Sequence, residues 1–426
     1  MGQPRALVLT RVIAGKLTIG EAALLLGLSQ RQVRRLRAGF EAEGPAALVH
    51  GNTGRHPAHR LDPALVRRVV ALARGRYAGC NDSHFSELLA EREGITLSRP
   101  SVRRVLRAAG IPSARRHRAP RYRSRRERRA AAGMLVQLDA SRHRWFGPAG
   151  PFSSLVGAID DATGEVLGAC FREQEDAAGY FSVLARILAR YGVPLAAYSD
   201  RHSVFWVTRA QRETLEEELA GEREPTQFGR ALAELGIEPI FANSPQAKGR
   251  IERLWGTFQD RLVSELRLAK VDTIESANAF LATYLPRHNA RFAIAALEAA
   301  AWRALPAGRA IEDVCCFKYS RQVPGDNSLR LGGRLVQLPP RGAYGSWAGQ
   351  RVECRQHLDG AWSVHAPGGR ELARSAVPAG PPKLRAERYI RAPITGVTPL
   401  PRPGATWRQT MDDLFKKKPR TKSRSA

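Results

Sequence analysis

The first feature in the hydrophobic pattern is a pair of short amphipathic helices in residues 17–39. Apolar residues recur at helical spacing on both sides of a Gly-containing turn, and Ser29 stands where it can cap the second helix. This arrangement predicts a helix-turn-helix domain over residues 1–55. The alternative is an ordinary helical hairpin with a solvated basic face.

A similar pattern follows in residues 56–112. Helical periodicity over 62–74 and 83–93 precedes "ITLSRPSVRRVLRAAGI", which again combines an apolar lead, a Ser cap and a basic helix. We predict a second helix-turn-helix-like domain here. The next segment, residues 113–130, contains nine arginines within the seventeen residues 113–129 and is interpreted as a linker that follows phosphates.

The central pattern, over residues 131–300, differs from both helical units. Short apolar runs alternate with amphipathic stretches in the order three strands, helix, strand, helix, strand, helix. That order predicts an α/β layered domain. The first predicted strand ends at Asp139, and the fourth ends at Asp200.

The last helix of this domain begins in "NSPQAKGRIERLWGTFQDRL". Ser244 and Pro245 suit a helix start, and apolar residues recur along one face. The neighbouring face carries Lys248, Glu252, Trp255 and Gln259. Trp255 is interpreted as a core residue, with base stacking as the alternative.

The carboxy-terminal pattern alternates with a period of two. Leucines flank a Gly-Gly turn in "NSLRLGGRLVQLP", and "RVECRQHLDGAWSVHAP" alternates around an Asp-Gly turn. We predict a small β-barrel over residues 310–378 that either holds DNA or acts as a stabilising or dimer-contact domain. Residues 379–426 are predicted to be a basic disordered tail.

Charge is distributed unevenly between these regions. Lys and Arg outnumber Asp and Glu by 27 to 9 in residues 1–130 and by 23 to 9 in 301–426, whereas residues 131–300 contain 18 against 22. Two basic arms around a mildly acidic centre suit a polyanion, and we expect double-stranded DNA as the partner; the alternative is that the charge serves only solubility.

The same composition argues against several other classes. No apolar run approaches the roughly 18 residues that span a bilayer, and no charged-then-apolar leader opens the chain, so we expect no membrane association and a cytoplasmic protein. Five scattered cysteines without a C-x-x-C pair favour neither a disulfide framework nor a structural zinc site.

Asp139, Asp200 and Glu252 are the candidate catalytic residues. Two lie at strand ends and the third on a helix that can pack against the same edge. Converging carboxylates repel one another unless cations join them, and two Mg²⁺ (or Mn²⁺) ions would compensate this charge and support phosphoryl transfer. We therefore predict that these three residues are also the metal ligands. Asp160 and Asp161 are competing ligands, although they are better interpreted as turn-formers ahead of Thr163 and Gly164.

Several motifs in this order resemble the DDE transposase and integrase core, most closely the insertion-sequence transposases of the ISNCY type. They are "DAS" at 139, "IDDATG" at 159–164, "YSDRHSVF" at 198–205 and "SPQAKGRIERLWGTFQDRL" at 244–262. The resemblance implies an RNase H-like catalytic core over residues 131–300, two divalent metals, and recognition of terminal inverted repeats. It also implies that Asp139, Asp200 and Glu252 are the first, second and third carboxylates.

The candidate DNA contacts are donor-rich side chains on three helices. Such side chains read base edges or phosphates. They are Gln30, Arg31, Gln32, Arg34 and Arg35 in the first unit, Arg103, Arg104 and Arg107 in the second, and Lys248, Arg250 and Arg253 beside Glu252.

These observations predict a bacterial, nucleoid-associated transposase that binds the ends of a mobile element. It would cleave DNA, join it to target DNA, and work as a homo-oligomer on DNA. One alternative is a catalytically inactive, transposase-derived DNA-binding regulator; another is a nuclease of the same fold that does not join strands.

Overall fold

The structure is a computed structural model that describes residues 2–49, 60–114, 126–200, 202–205, 225–241, 249–379 and 384. The chain separates into two compact units, Met1–Leu72 and Ala73–Ala426. Within the described ranges, no helix is long and apolar enough to cross a membrane. The domain boundaries given above remain predictions.

The first unit contains three helices, α1 (Gly2–Ile13), α2 (Ile19–Leu26) and α3 (Gln30–Glu43), and a 3-10 turn at Gly44–Leu48. Thr18 and Glu21 form a capping box at the start of α2, and Gly27 ends that helix in the left-handed conformation. The Ser29 side chain accepts a hydrogen bond from Gln32 N and caps α3, as its position in the sequence predicts.

Helix α4 (Pro63–Arg74) crosses the boundary between the units in sequence, and the second unit continues with α5 (Asp82–Glu93) and α6 (Arg99–Ala108). Asn81 caps α5 and Ser98 caps α6. The apolar face of α6 is buried at the three positions expected from its periodicity, Val102, Val105 and Leu106.

A five-stranded mixed sheet with the order β3-β2-β1-β4-β5 forms the centre of the second unit. Its strands are β1 (Val136–His143), β2 (Ser153–Asp160), β3 (Val166–Arg172), β4 (Ala196–Ser199) and β5 (Glu238–Phe241). The first three are antiparallel, whereas β4 is parallel to both β1 and β5. The α/β prediction for this region is therefore confirmed.

Helices cover both faces of this sheet. They are α7 (Ala177–Arg190), α8 (Gln227–Glu234), α9 (Gly249–Leu268) and α10 (Ile274–Phe292). Apolar residues of α7 and α8 form one core with the sheet, and those of α9 and α10 form another on the opposite face. Burial of these two apolar layers fixes α9, the helix that carries Glu252, against the sheet.

The carboxy-terminal region forms an open sheet with the order β11-β10-β9-β6 and a separate β7-β8 hairpin. Its elements are α11 (Ile311–Val314), β6 (Phe317–Gln322), β7 (Ser328–Leu331), β8 (Arg334–Gln337), β9 (Arg351–Gln356), β10 (Trp362–His365) and β11 (Glu371–Arg374). The hairpins at Gly-Gly and Asp-Gly lie where they are predicted. The closed barrel is not found among the described residues. Pro339 and Pro340 follow β8, and proline has no N–H with which to continue a strand ladder.

Helix α5 is held against α9 by ionic contacts. Glu265 of α9 is 6% exposed and accepts a hydrogen bond from Arg92 Nη2 at 2.6 Å. His84 Nε2 lies 3.1 Å from the other oxygen of the Glu265 carboxylate. Arg261 of α9 also pairs with Glu87 of α5. Because Glu265 is buried, its partners offset a substantial desolvation penalty.

We expect the His84 contact to make stability depend on pH. Burial alone lowers the pKa of His84, but interactions with Cys80 and Glu265 outweigh it and raise the pKa from 6.5 to about 8. Protonated His84 therefore contributes fully to the free energy of unfolding below pH 6.5, and this contribution disappears as pH rises through 8. Its size is at most about 2 kcal/mol. Urea unfolding at pH 6 and pH 9 should show this loss in the wild type and a smaller one in His84→Gln. Equal losses in both proteins would refute the assignment.

Candidate active site

Asp200 directly follows β4, but Asp139 lies within the adjacent parallel strand β1, which continues four residues further to His143, so the prediction that the first strand ends at Asp139 is wrong. Strands β1 and β4 pair with Val136 opposite Ala197 and Gln137 opposite Tyr198. The same register, extended by two residues, places Asp139 opposite Asp200, and neighbouring strands lie about 4.8 Å apart. Side chains two residues apart share a face, so both aspartates belong to one face of the sheet. This register supports the predicted closeness of the two carboxylates, which stays a prediction.

Trp255 connects helix α9 to Asp139. Its indole Nε1 donates a hydrogen bond to Asp139 Oδ2 at 2.9 Å, and the residue is 6% exposed. One turn later, Gln259 Nε2 donates to Ser141 Oγ at 3.1 Å. Because residues 255 and 259 contact residues 139 and 141 in the same order, α9 runs alongside β1. Sequence reasoning placed Trp255 in the core, as observed, but did not find its bond to Asp139.

Glu252 precedes Trp255 by three residues and shares its helix face. Its side chain is exposed, and it occupies the first turn of α9. The contact between Trp255 and Asp139 therefore places Glu252 on the side of α9 that faces β1. The convergence of all three carboxylates on one cleft remains a prediction.

The pKa of Tyr180 is affected by the charges of both aspartates. Its phenol is fully buried and donates to Glu175 Oε1 at 2.7 Å. Burial raises the pKa of Tyr180 well above its usual value, and the charges of Glu175, Asp139 and Asp200 raise it further. Both aspartates thus lie within electrostatic range of one hydroxyl. Glu175 had no signal in the sequence that would have linked it to this site.

The donor chemistry of Asp139 and Asp200 fits a hard divalent cation, because Mg²⁺ and Mn²⁺ prefer carboxylate oxygens. Among the residues that the structure describes, however, no three His, Cys, Asp or Glu side chains form a group that could hold a metal ion. Asp139 Oδ2 already accepts a hydrogen bond from the Trp255 indole, and Asp200 Oδ1 accepts one from His202 N at 3.0 Å. The site therefore has a pair of suitable aspartates, and a metal would require the glutamate to join them.

Asp160 and Asp161 occupy buried positions at the turn after β2. Asp160 accepts hydrogen bonds from Gly133 N at 2.8 Å and from Thr163 N at 2.9 Å. Burial raises the pKa of Asp160, while these hydrogen bonds act in the opposite direction. Asp161 is 0% exposed and is bonded to cationic and amide groups of the protein. Both geometries agree with the structural interpretation rather than with metal ligation.

The predicted DNA contacts differ in their exposure. All five candidates on α3 are exposed, as are Arg103, Arg104 and Arg253. Lys248 and linker residues 115–125 lie outside the described residues.

Two of the predicted DNA contacts have side chains that bind protein groups. Arg107 is half-buried and donates to Asp82 Oδ2 at 2.7 Å and to Ile111 O at 2.9 Å. The Arg250 side chain is 14% exposed and pairs with Asp161. Both arginines therefore have acceptors within the protein, and contact of their side chains with DNA stays a prediction.

Gly157 makes room for Trp255. It lies opposite Asp139 on β2, and a Cβ at this position would be 2.8 Å from Trp255 Cη2. We expect Gly157→Ala to displace the indole and lower the free energy of unfolding by about 1–3 kcal/mol. Gly168→Ala on β3 is the control, since its Cβ would meet Val183 Cγ1 at an ordinary 3.6 Å. Urea unfolding of both variants checks this, and equal stabilities would contradict the packing argument.

Comparisons with known proteins give a consistent set of relatives. A family model described as a winged helix-turn helix matches residues 5–65. A Sinorhizobium fredii (strain NBRC 101917 / NGR234) protein that carries the name transposase y4bF is 39% identical over 363 residues, which cover 85% of this chain and 78% of that protein. The transposase for insertion sequence IS1202 of Streptococcus pneumoniae is 37% identical over 320 residues, 67% of each protein.

Similarity to solved structures is much weaker. A simian T-cell lymphotropic virus intasome in complex with PP2A regulatory subunit B56 gamma has 14% identity and a TM-score of 0.30, over 72% of this chain and 95% of that chain. The Mos1 strand transfer complex has 14% identity and a TM-score of 0.17, over 66% of this chain and 96% of that chain. Neither score supports an argument about fold.

Proposed function

The chain is a member of the transposase family, and from this premise we propose that it binds the terminal inverted repeats of a mobile element, cleaves DNA there and joins the ends to target DNA. The observation that carries the proposal is the parallel pairing of β1, which contains Asp139, with β4, which Asp200 directly follows. Their parallel register, extended past Gln137 and Tyr198, would place Asp139 beside Asp200, and α9 is bonded to Asp139 through Trp255.

We propose that the central domain is RNase H-like. Three antiparallel strands followed by two parallel ones, with helices on both faces, support this assignment. Asp139, Asp200 and Glu252 would be its catalytic carboxylates and would hold two divalent ions. When bound, such ions activate a water or a DNA 3′-hydroxyl and stabilise the leaving oxygen of the phosphoryl transfer.

The residues of the chain itself would orient this reaction. The indole of Trp255 holds the Asp139 carboxylate in one orientation, and the amide of His202 does the same for Asp200. Hydrogen bonds at two successive turns hold α9 against β1, and this fixes the position of the helix that carries Glu252. The exposed side chain of Arg253 next to it is suited to contact the DNA backbone.

Recognition of the element ends is proposed for α3. The first turns of this helix, which Ser29 caps, bury Val33 and expose the five candidate residues, Gln30, Arg31, Gln32, Arg34 and Arg35. A second helix of a helix-turn-helix unit lies in the major groove and reads base edges with its first turns. Arg103 and Arg104 on α6 would add contacts elsewhere on the same DNA.

The function is tested with the full-length protein, pre-cleaved duplexes that carry the candidate terminal repeats, and a supercoiled target plasmid. We expect Mg²⁺-dependent covalent joining of the duplex to the plasmid. Cleavage of uncleaved duplexes that carry the same repeats, without joining of the pre-cleaved ones, would indicate the nuclease alternative. Specific binding without cleavage or joining in Mg²⁺ or Mn²⁺ would indicate the catalytically inactive regulator.

A further inference from the structure

Asp161 is a buried carboxylate that connects three segments of the second unit. Its side chain is 0% exposed. It accepts hydrogen bonds from Gln137 Nε2 at 2.6 Å and Arg250 Nη1 at 2.7 Å, from Arg129 N at 3.0 Å, and from Arg126. A carboxylate placed on the surface for solubility would not be enclosed by four donors, so Asp161 is part of the internal framework of this domain.

Two of these donors lie next to proposed catalytic residues. Gln137 precedes Asp139 by two residues on β1 and shares its face of the sheet. Arg250 precedes Glu252 by two residues in the first turn of α9. Asp161 therefore bridges the strand of the first carboxylate and the helix of the third, and it does so within two residues of each.

The remaining donors belong to the end of the Arg-rich linker. Arg126 and Arg129 both bind Asp161, and Arg250 Nη2 also donates to Arg126 O at 2.9 Å. Residues 126–129 are thus built into the catalytic domain, whereas the sequence suggests a linker that only follows phosphates. The reason is the buried negative charge, which attracts guanidinium groups from two segments of the chain.

We propose that Asp161 is a positioning residue that fixes the first turn of α9, and with it Glu252, against Asp139. This inference rests on the proposed function. Asp161 contacts neither DNA nor the reacting atoms in this assignment and acts only through Gln137 and Arg250. Its loss would leave two arginines without their shared carboxylate and release the start of α9.

The test uses Asp161→Asn and the milder Arg250→Lys in the full-length protein. Terbium(III) replaces the divalent ions as a luminescent probe, because Trp255 lies beside Asp139 and can sensitise it. We expect each variant to bind terbium roughly tenfold or more weakly than the wild type, in line with the usual effect of losing a residue that orients ligands. The rate of strand transfer should decrease by a similar factor, and extra Mn²⁺ should restore part of it. The affinity for the element ends should remain within about twofold of the wild type.

Glu234→Gln is the matched control. Glu234 is also 0% exposed and binds Arg230 at 2.8 Å and Lys318 at 2.9 Å, but it joins α8 to β6. The Glu234→Gln variant should be less stable than the wild type but should bind terbium with the same affinity. Wild-type affinity in both Asp161→Asn and Arg250→Lys would overturn the positioning role while leaving the proposed function intact. Absence of terbium binding and strand transfer in the wild type would overturn both.

Discussion

Replacing Asp139, Asp200 or Glu252 with the corresponding amide is expected to abolish strand transfer while leaving the fold and binding to the element ends intact. Asn and Gln have nearly the volumes of Asp and Glu, and in Asp139→Asn the side-chain amide oxygen could still accept the hydrogen bond that Trp255 donates to Asp139. The amides lack the negative charge that holds a divalent ion. We expect a decrease in rate of roughly a thousandfold or more, on the order of 4 kcal/mol.

Thermal unfolding, end binding and Mg²⁺-dependent strand transfer should be measured side by side for the three variants. Glu275→Gln provides a control, because Glu275 is an exposed carboxylate in the first turn of the next helix. It should behave like the wild type. If the three site variants join DNA at the wild-type rate, the carboxylates are structural and the proposed mechanism is wrong.

The second large effect is expected on recognition of the element ends. Arg34→Ala and Arg35→Ala remove exposed guanidinium groups from α3. A bidentate contact to a base contributes about 1–3 kcal/mol of discrimination, so each variant that loses one should bind a terminal repeat up to about a hundredfold less selectively. Replacing an arginine that contacts only phosphate would leave selectivity unchanged. It would instead lower the salt dependence of the binding constant by about one released counterion.

Competition between a terminal repeat and a scrambled duplex, at several salt concentrations, separates these two effects. Arg37→Ala is the control on the same helix, since Arg37 Nε donates to Glu41 at 2.9 Å. It should leave selectivity unchanged. Undiminished selectivity in both Arg34→Ala and Arg35→Ala would exclude α3 as the reading helix.

Local sequence signals predicted most of the secondary structure. Ser29 and Ser98 cap the helices that they were expected to cap, because capping depends on neighbours within three residues. Asp139 and Asp200 were predicted from the ends of apolar runs; β4 does end just before Asp200, whereas β1 continues past Asp139 to His143, and their role stays a prediction.

Features that depend on distant partners could not be predicted in this way. The pairing of Arg250 with Asp161 spans 89 residues, and nothing in the basic stretch around Arg250 distinguishes it from exposed Arg253. The space that Gly157 leaves for Trp255 likewise depends on the packing of α9 across β2. The barrel prediction used correct strand periodicity, but periodicity does not determine which strands pair at the edges.

The central claim is that Asp139, Asp200 and Glu252 form one metal site. Its most direct test is a crystal of the full-length protein soaked in Mn²⁺, with the ions located by their anomalous scattering. The account predicts two ions about 3.5–4 Å apart, bound by oxygens of Asp139 and Asp200, with Glu252 completing the set. Ordered carboxylates without an ion, or ions bound only elsewhere on the protein, would contradict it.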